Sequence, residues 1–192
     1  METDQELRVV SASREIAAAP EPIFELIADP AQQPRWDGND NLATADSGQR
    51  VRQVGDVFTM TLTGGAVREN HVVEFGEGRL IAWMPAEPGL RPPGHLWRWE
   101  LEPVALGSTL VTCTYDWTKL TDSSRFERAR ATTGEKLRAS MDRLAALAEL
   151  LGEVGPAAVD IRGGQVESGR EAVICHRGGN LLHLADPPPA LR

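Results

Sequence analysis

Two titratable side chains stand two residues apart in a stretch whose alternating pattern predicts a β-strand. Glu69 and His71 fall on one face of the segment 67–75, together with Val67 and Val73, because successive side chains of a strand point to opposite faces. A buried carboxyl and a neutral imidazole in contact shift each other's pKa toward neutrality and can act as acid and base. In such a pair, His71 would be the base. A polar pair at a sheet edge has the same pattern, so both interpretations stay open.

A base that removes a proton beside a carbonyl group also needs a group that holds the resulting enolate oxygen. The sequence offers Arg68, Arg98 and Tyr115 for this role. The alternation places Arg68 on the opposite face of its strand from His71, which weakens that assignment. The candidate catalytic residues are therefore Glu69, His71 and Arg98.

Tryptophan is concentrated in the predicted strands. Trp97 and Trp99 are two residues apart and point to the same side of their strand. If that side faces inward, the two indoles form part of the wall of an apolar ligand cavity; the alternative is that they fill the core. The side chains expected to line the cavity are Met60, His71, Trp83, Trp97, Trp99, Val111, Tyr115 and Met141. Trp36 follows a turn bracketed by prolines and is expected to pack short helices onto the sheet.

Other chemistries find no support in the sequence. The four histidines and two cysteines form no CxxC or HExxH motif, so no metal site is expected. No GxGxxG, GxxxxGK[S/T] or GxSxG motif occurs, so no nucleotide cofactor and no serine nucleophile is expected. Cys113 lies within a predicted strand, where a buried thiol is usually a small apolar filler.

Charge and composition limit the partners. The chain has 20 Lys and Arg against 28 Asp and Glu, a net charge of −8, and this excess disfavours nucleic acid. No apolar run approaches the roughly 18 residues of a membrane span, and the acidic N-terminus lacks the apolar segment of a secretory signal. Two cysteines, Cys113 and Cys175, make no disulfide framework. These features predict a reduced, cytoplasmic protein without integral membrane association.

Hydrophobic periodicity then predicts the elements that position these residues. A strand over 7–16 precedes two short helices within 22–36, with a kink at Asp29 and Pro30. Segments of alternating polarity follow over 37–117, separated by turns rich in Gly, Asp and Asn. Short strands without intervening helices indicate an antiparallel sheet.

The segment 124–151 gives the strongest helix prediction. Its apolar residues form one stripe at steps of four and three, namely Leu137, Met141, Leu144, Ala148 and Leu151. Gly134 weakens the middle of the segment, so the residues before it are expected to form a separate turn or helix. We therefore expect an α+β domain over residues 1–152. The Gly- and Pro-rich residues 153–192 have no sustained period and are expected to form an irregular or weakly ordered extension.

The order of these elements resembles the START-like superfamily called SRPBCC, which includes polyketide cyclases, dehydrases and lipid-transport proteins. The resemblance covers roughly residues 7–151. It is carried by IAAAPEPIFELIADPAQQPRWDGN (16–39), by Trp97, Trp99, Glu100 and Leu101, by GSTLVT (107–112) with Tyr115, and by LRASMDRLAALAELL (137–151). It implies a helix-grip fold, in which a curved antiparallel sheet of about six or seven strands surrounds a long C-terminal helix.

The resemblance further implies a small hydrophobic or amphipathic partner, such as a lipid or a polyketide, in a cavity between the sheet and that helix. Because the sequence offers no compelling base, a carrier or sensor is favoured over a cyclase- or dehydrase-type enzyme. An interaction domain like that of Hsp90 activators, and a scaffold whose cavity is filled by side chains, are the alternatives. An uncovered sheet edge would also allow a homodimer.

Overall fold

A computed structural model describes residues 7–153 of the chain. Its frame is one antiparallel sheet of seven strands in the order β1-β7-β6-β5-β4-β3-β2. The strands are β1 (Val9–Ile16), β2 (Leu42–Thr44), β3 (Val57–Leu62), β4 (Val67–Gly76), β5 (Leu80–Ala86), β6 (Leu96–Ala105) and β7 (Ser108–Asp116). Strands β2 to β7 form a meander, and β7 pairs with β1 along the whole length of β1. The predicted extension lies, from residue 154 onward, outside the described residues.

Short helices follow the first strand, and a long helix ends the domain. They are α1 (Pro20–Ala28), a 3₁₀ turn (Pro30–Gln32), α2 (Gln33–Trp36), a second 3₁₀ turn (Ser123–Arg125), α3 (Phe126–Arg130) and α4 (Gly134–Glu153). The predicted kink falls at Asp29, whose carboxylate accepts a hydrogen bond of 3.1 Å from the Ala31 amide. A short non-helical segment separates α3 from α4, and Gly134 is the first residue of α4. The predicted α+β class and the order of elements are therefore confirmed.

The predicted alternation decides which strand residues are buried. In β7, Val111, Cys113 and Tyr115 are all buried and alternate with partly exposed threonines. Burial raises the pKa of the Cys113 thiol, since no charged group compensates the lost hydration. Cys113 is therefore an apolar filler of the core rather than a reactive thiol.

Helix α4 buries its apolar stripe against one end of the sheet. Leu137, Met141, Leu144 and Ala148 have 0% exposure, and the helix packs mainly on β1, α1 and α2, with smaller contact to β7. The stripe stops before Leu151, which is half exposed. Because α4 covers the β1 end of the sheet, the middle strands require other segments to cover them.

The loop after α2 is held tightly against α4. The Gly38 amide donates a 2.9 Å hydrogen bond to Ser140 Oγ, and a Cβ on Gly38 would lie 2.3 Å from the Ser140 nitrogen. Only glycine allows the two backbones to approach this closely. The contact fixes the loop that leads to β2 and, with it, one wall of the candidate site.

Candidate functional site

A cavity of about 300 Å³ lies on the inner side of the middle strands. Its walls come from α2 and the loop after it, from β3 to β7, and from α3. Helix α4 contributes only Lys136 and Ser140, which stand in its first two turns. The volume is at the lower end of the range for small-molecule sites. The expected position between sheet and C-terminal helix is thus refined: α2 and α3, more than α4, close the cavity.

Aromatic rings form most of the apolar wall. Trp36 and Trp99 meet edge to face with ring centroids 5.1 Å apart, and Trp97 lies 4.6 Å from the Tyr115 ring. Trp83 also lines the cavity and packs on the Phe58 ring at 5.6 Å. These rings hold one another in fixed orientations, so the wall is formed before any molecule enters.

Two of the indole nitrogens differ in their hydrogen bonding. Trp36 Nε1 donates to the Leu26 carbonyl at 2.9 Å, which ties α2 to α1 as the expected structural role of Trp36 requires. Trp99 is only 2% exposed, and its Nε1 has no hydrogen-bond partner among residues 7–153. A buried donor without a partner is costly. Trp99 lines the cavity, but surrounding protein atoms shield its Nε1.

Strand β4 supplies polar side chains to the same cavity. Arg68 stands opposite Met60 of β3, and Asn70 stands opposite Phe58 in the strand pairing. Arg68 and Asn70 both line the cavity, as does Met60. Asn70 is buried. The sheet therefore presents an arginine and an amide beside apolar side chains.

Three arginines from two segments of the chain reach this cavity: Arg68 of β4, and Arg125 and Arg128 at and within α3. Arg125 is paired with Glu87 at 2.5 Å and with Asp122 at 3.2 Å. Arg128 donates to the neutral Asn41 Oδ1 at 2.9 Å, and Arg68 donates to the Val67 carbonyl at 2.8 Å.

The rings of His95 and Tyr115, both titratable, also line the cavity. Their centroids are 6.1 Å apart. Burial, and to a smaller extent the positive charges of Arg125, Arg128 and Arg68, lower the pKa of His95 to about 4. His95 is therefore a neutral imidazole at pH 7, and its Nδ1 has no partner within the described residues. Burial also raises the pKa of Tyr115 to about 12, so its phenol keeps its proton and can donate a hydrogen bond.

The single acidic side chain of the lining, Asp37, organises backbone. Its carboxylate accepts hydrogen bonds from the backbone amides of Asn39, Asn41 and Leu42, at 2.7 to 3.1 Å. Backbone amides thus compensate its charge, and the loop after α2 is shaped by it. Asp37 consequently balances the arginines less than its charge alone would suggest.

The structure brings together five of the side chains that the sequence analysis assigned to a cavity. They are Met60, Trp83, Trp97, Trp99 and Tyr115. Val111 and Met141 are fully buried but belong to the core beneath α1 and α4 rather than to the cavity lining. Strand alternation for Val111 and the helical stripe for Met141 predicted that both side chains are buried, but neither pattern distinguishes a core position from a cavity position.

Glu69 and His71 lie on the other face of β4, and their expected place in the cavity is corrected here. His71 stands opposite Val57 and Met84, whereas the side chains on either side of it along β4, Asn70 and Val72, are buried. Glu69 accepts a hydrogen bond from the Gly89 amide at 2.9 Å.

The physical reason for the error is a shift in the register of β4. The pairing with β5 is irregular between Val72 and Glu74, so the side of the strand that faces inward changes there. Phe75 packs against the core, while Val67 and Val73 are each 39% exposed. An uninterrupted alternation over 67–75 would place His71 and Phe75 on the same face, and the register shift separates them.

Arg98 also lies outside the cavity. It stands opposite Ala82 and Thr114 in the strand pairing, on the outer face of the sheet, and it forms ion pairs with Glu74 and Glu100. The three candidate catalytic residues thus share the outer face of the sheet, and the oxyanion role proposed for Arg98 is not supported by this placement.

Sequence reasoning missed most of the polar lining. The alternation weakened Arg68 as an enolate-holding group because Arg68 and His71 point to opposite faces of β4. Since His71 points outward, the same alternation brings Arg68 to the cavity. Arg125 and Arg128 lie in a segment whose charges show no helical stripe, and His95 lies in a loop rich in Pro and Gly. Within residues 121–130, Phe126 is the one large apolar side chain, and it was the only sequence signal that this segment packs on the domain. In the structure, Phe126 packs against the core.

Residues 7–153 contain neither a cluster of metal-ligating side chains nor a membrane-spanning helix. No three His, Cys, Asp or Glu side chains of residues 7–153 come together as metal ligands would. None of the helices in the described part of the chain combines the length and apolarity needed to cross a bilayer.

The sheet with its inward-facing cavity, closed by short helices and a long final helix, defines an α+β helix-grip protein. The family described as "Polyketide cyclase / dehydrase and lipid transport" matches residues 8–149. The chain belongs to that family.

Individual relatives agree with this assignment at the level of the fold. The uncharacterized protein Rv0088 of Mycobacterium tuberculosis is 32% identical over 111 residues, which are 56% of this chain and 47% of that protein. The chain thus spans about half the length of this curated relative. A START superfamily protein of Mycobacterium smegmatis aligns with a TM-score of 0.54 and 20% identity, over 74% of this chain and 98% of its own.

The solution structure of the Aha1 dimer of Colwellia psychrerythraea aligns with a TM-score of 0.50 and 18% identity, over 78% of this chain and 98% of its own. At such identities, the two structural likenesses show the fold alone.

Proposed function

We propose that this protein binds a small hydrophobic or amphipathic molecule in the cavity beneath β3 to β7, as a carrier or sensor. The observation that supports this most directly is a cavity of about 300 Å³ with four tryptophans in its wall. A cavity that combines an aromatic wall with polar side chains offers both burial and orientation to a small molecule. Family membership agrees with the same class of partner.

A catalytic role has weaker support. The candidate base His71 and its neighbour Glu69 lie on the outer face of the sheet, so neither reaches a molecule held among the tryptophans. His95 is in the cavity, but a pKa of about 4 makes it a weak base at neutral pH, far from the match that general base catalysis requires. A binding protein needs no such group.

The cytoplasmic location, the homodimer and the interaction domain like that of Hsp90 activators stay predictions. We keep a small molecule as the principal partner because the cavity supplies burial, aromatic contact and polar side chains for it. A protein partner would require an exposed surface instead.

The test is a fluorescence titration with N-phenyl-1-naphthylamine, a neutral apolar dye that brightens when it leaves water. We expect one saturable site with a Kd of roughly micromolar order. Ala129 of α3 is 2% exposed and lines the cavity, so Ala129→Leu should fill part of the space and weaken dye binding at least fivefold.

The matched control is Ala146→Leu, since Ala146 is exposed on α4 and outside the lining. It should bind the dye as the parent does. Absence of saturable binding in the parent protein, or equal loss in both variants, would show that the cavity is not a binding site. Circular dichroism melts of both variants establish that the fold is kept.

A further inference from the structure

The charge of the cavity lining is opposite to that of the chain. The whole chain carries a net charge of −8, yet the lining contains Arg68, Arg125, Arg128 and Lys136 against the single acidic residue Asp37. His95 adds no negative charge. Because these cationic side chains converge on one cavity, the electrostatic potential there is positive although the protein as a whole is acidic.

Among the described residues, the carboxylates near this space form direct ion pairs with only one of the three arginines. Glu87 and Asp122 pair with Arg125, and backbone amides compensate Asp37. Within residues 7–153, Arg68 forms no ion pair, and the side chain of Arg128 donates to a neutral amide oxygen. These two guanidinium groups therefore retain donors for an anion, in the planar arrangement that suits carboxylate and phosphate oxygens.

The positive charges of the arginines also repel one another, which disfavours the protonated form of each. Burial lowers the pKa of Arg68, and Arg125 and Arg128 lower it further, while Glu87 acts in the opposite direction. The same three arginines depress the pKa of His95. A negative group placed among them would relieve this repulsion, because an opposite charge stabilises the protonated forms.

From this geometry we propose that the bound molecule is an amphipathic anion: an apolar body against the tryptophans and a carboxylate or phosphate head held by Arg68 and Arg128. This inference rests on the proposed function and adds the class of ligand. Arg125, already fixed by Glu87 and Asp122, supports the positive potential.

The experiment compares dodecanoate with dodecanol as competitors of N-phenyl-1-naphthylamine. Both have the same tail, so the ratio of their inhibition constants reports the head group alone. We expect dodecanoate to bind at least about tenfold more tightly, the factor that one charge-assisted hydrogen bond supplies. Raising the salt concentration should reduce this preference. Acetate at the same concentration should not compete, since it lacks the tail.

Substitutions of single arginines show which side chains cause the preference for dodecanoate over dodecanol. The preference is measured as the inhibition constant of dodecanol divided by that of dodecanoate. Arg68→Gln and Arg128→Gln should each lower this ratio at least fivefold. Arg138→Gln removes an exposed arginine of α4 that is outside the lining and should leave the ratio within twofold of the parent value. Arg128 is itself exposed, so this variant keeps the test valid even if Arg68→Gln fails to fold.

Two kinds of failure are distinguishable. If the dye binds but the parent ratio is near one, or neither arginine variant changes it, the anionic ligand is refuted and the apolar binding site stands. Competition by acetate as strong as by dodecanoate would equally refute it, because the site would then take a free anion. If neither the dye nor either dodecyl compound binds, both proposals fall together.

Discussion

The Trp36 ring meets the Trp99 ring edge to face, with centroids 5.1 Å apart and planes inclined by 74°. Trp36 belongs to α2 and Trp99 to β6, so this contact joins the short helices to the middle of the sheet. Both rings line the cavity. The contact that stabilises the domain at this point is therefore also part of the candidate binding site.

Trp36→Phe should destabilise the protein while keeping an aromatic edge against Trp99. The substitution removes the Nε1 donor and leaves the buried Leu26 carbonyl without its 2.9 Å hydrogen bond. An unsatisfied buried group of this kind costs about 1–3 kcal/mol. Urea denaturation should show a free energy of unfolding lower by that amount. An unchanged midpoint with an unchanged slope would mean that the bond contributes nothing.

Gly38→Ala should disrupt the contact between the α2–β2 loop and α4. The new Cβ would lie 2.3 Å from the Ser140 nitrogen and 2.5 Å from the Ala139 carbonyl carbon, and these are backbone atoms that cannot move alone. We expect a loss of about 2 kcal/mol or more, as overpacking of a tight contact produces. Thermal denaturation measures it.

Gly64→Ala is the matched control, because a Cβ there meets nothing within 4 Å. We expect its change in stability to stay within about 0.5 kcal/mol. Equal melting temperatures for the two variants would contradict the close approach of the loop to α4.

Stability should fall in mild acid through His95. Its pKa is lowered from 6.5 to about 4 in the folded state, so the unfolded chain binds the proton more readily. The stability contributed by keeping His95 neutral is present above about pH 6.5 and is lost as the pH falls toward 4. Since His95 is only partly buried, we expect a loss of about 1–2 kcal/mol rather than the full value of the shift.

Urea denaturation at several pH values between 7 and 4 tests this dependence. The variant His95→Gln should lack this part of the loss, because glutamine does not titrate. A parent protein and variant with parallel stability curves over that interval would show that another group is responsible.

Trp83→Ala and His71→Ala should separate the two faces of the sheet. Trp83 is buried at the cavity wall, and its removal should weaken N-phenyl-1-naphthylamine binding at least fivefold. His71 lies on the outer face, so His71→Ala should leave the dye affinity within twofold of the parent value. A larger loss in His71→Ala than in Trp83→Ala would reverse the assignment of faces on β4.

Local pattern predicted the elements because each depends on near neighbours in the chain. The prolines at 20 and 22 favour a helix start, Gly134 separates α3 from α4, and the alternation over 111–115 gives the inward face of β7. The shift near Val72 in β4 was not predictable in this way. It depends on how β4 pairs with β5, and no residue of β4 alone encodes it.

The sequence by itself determined the α+β class, the family, the order of strands and helices, and the concentration of tryptophan along the middle strands. Periodicity and turn residues carry that information locally. Tertiary structure alone decided that His71 faces outward and that Arg68, Arg125 and Arg128 come to one cavity. These arginines lie up to 60 residues apart in the chain. Their convergence depends on strand register and on α3 closing over the sheet, which are set by packing across the whole domain.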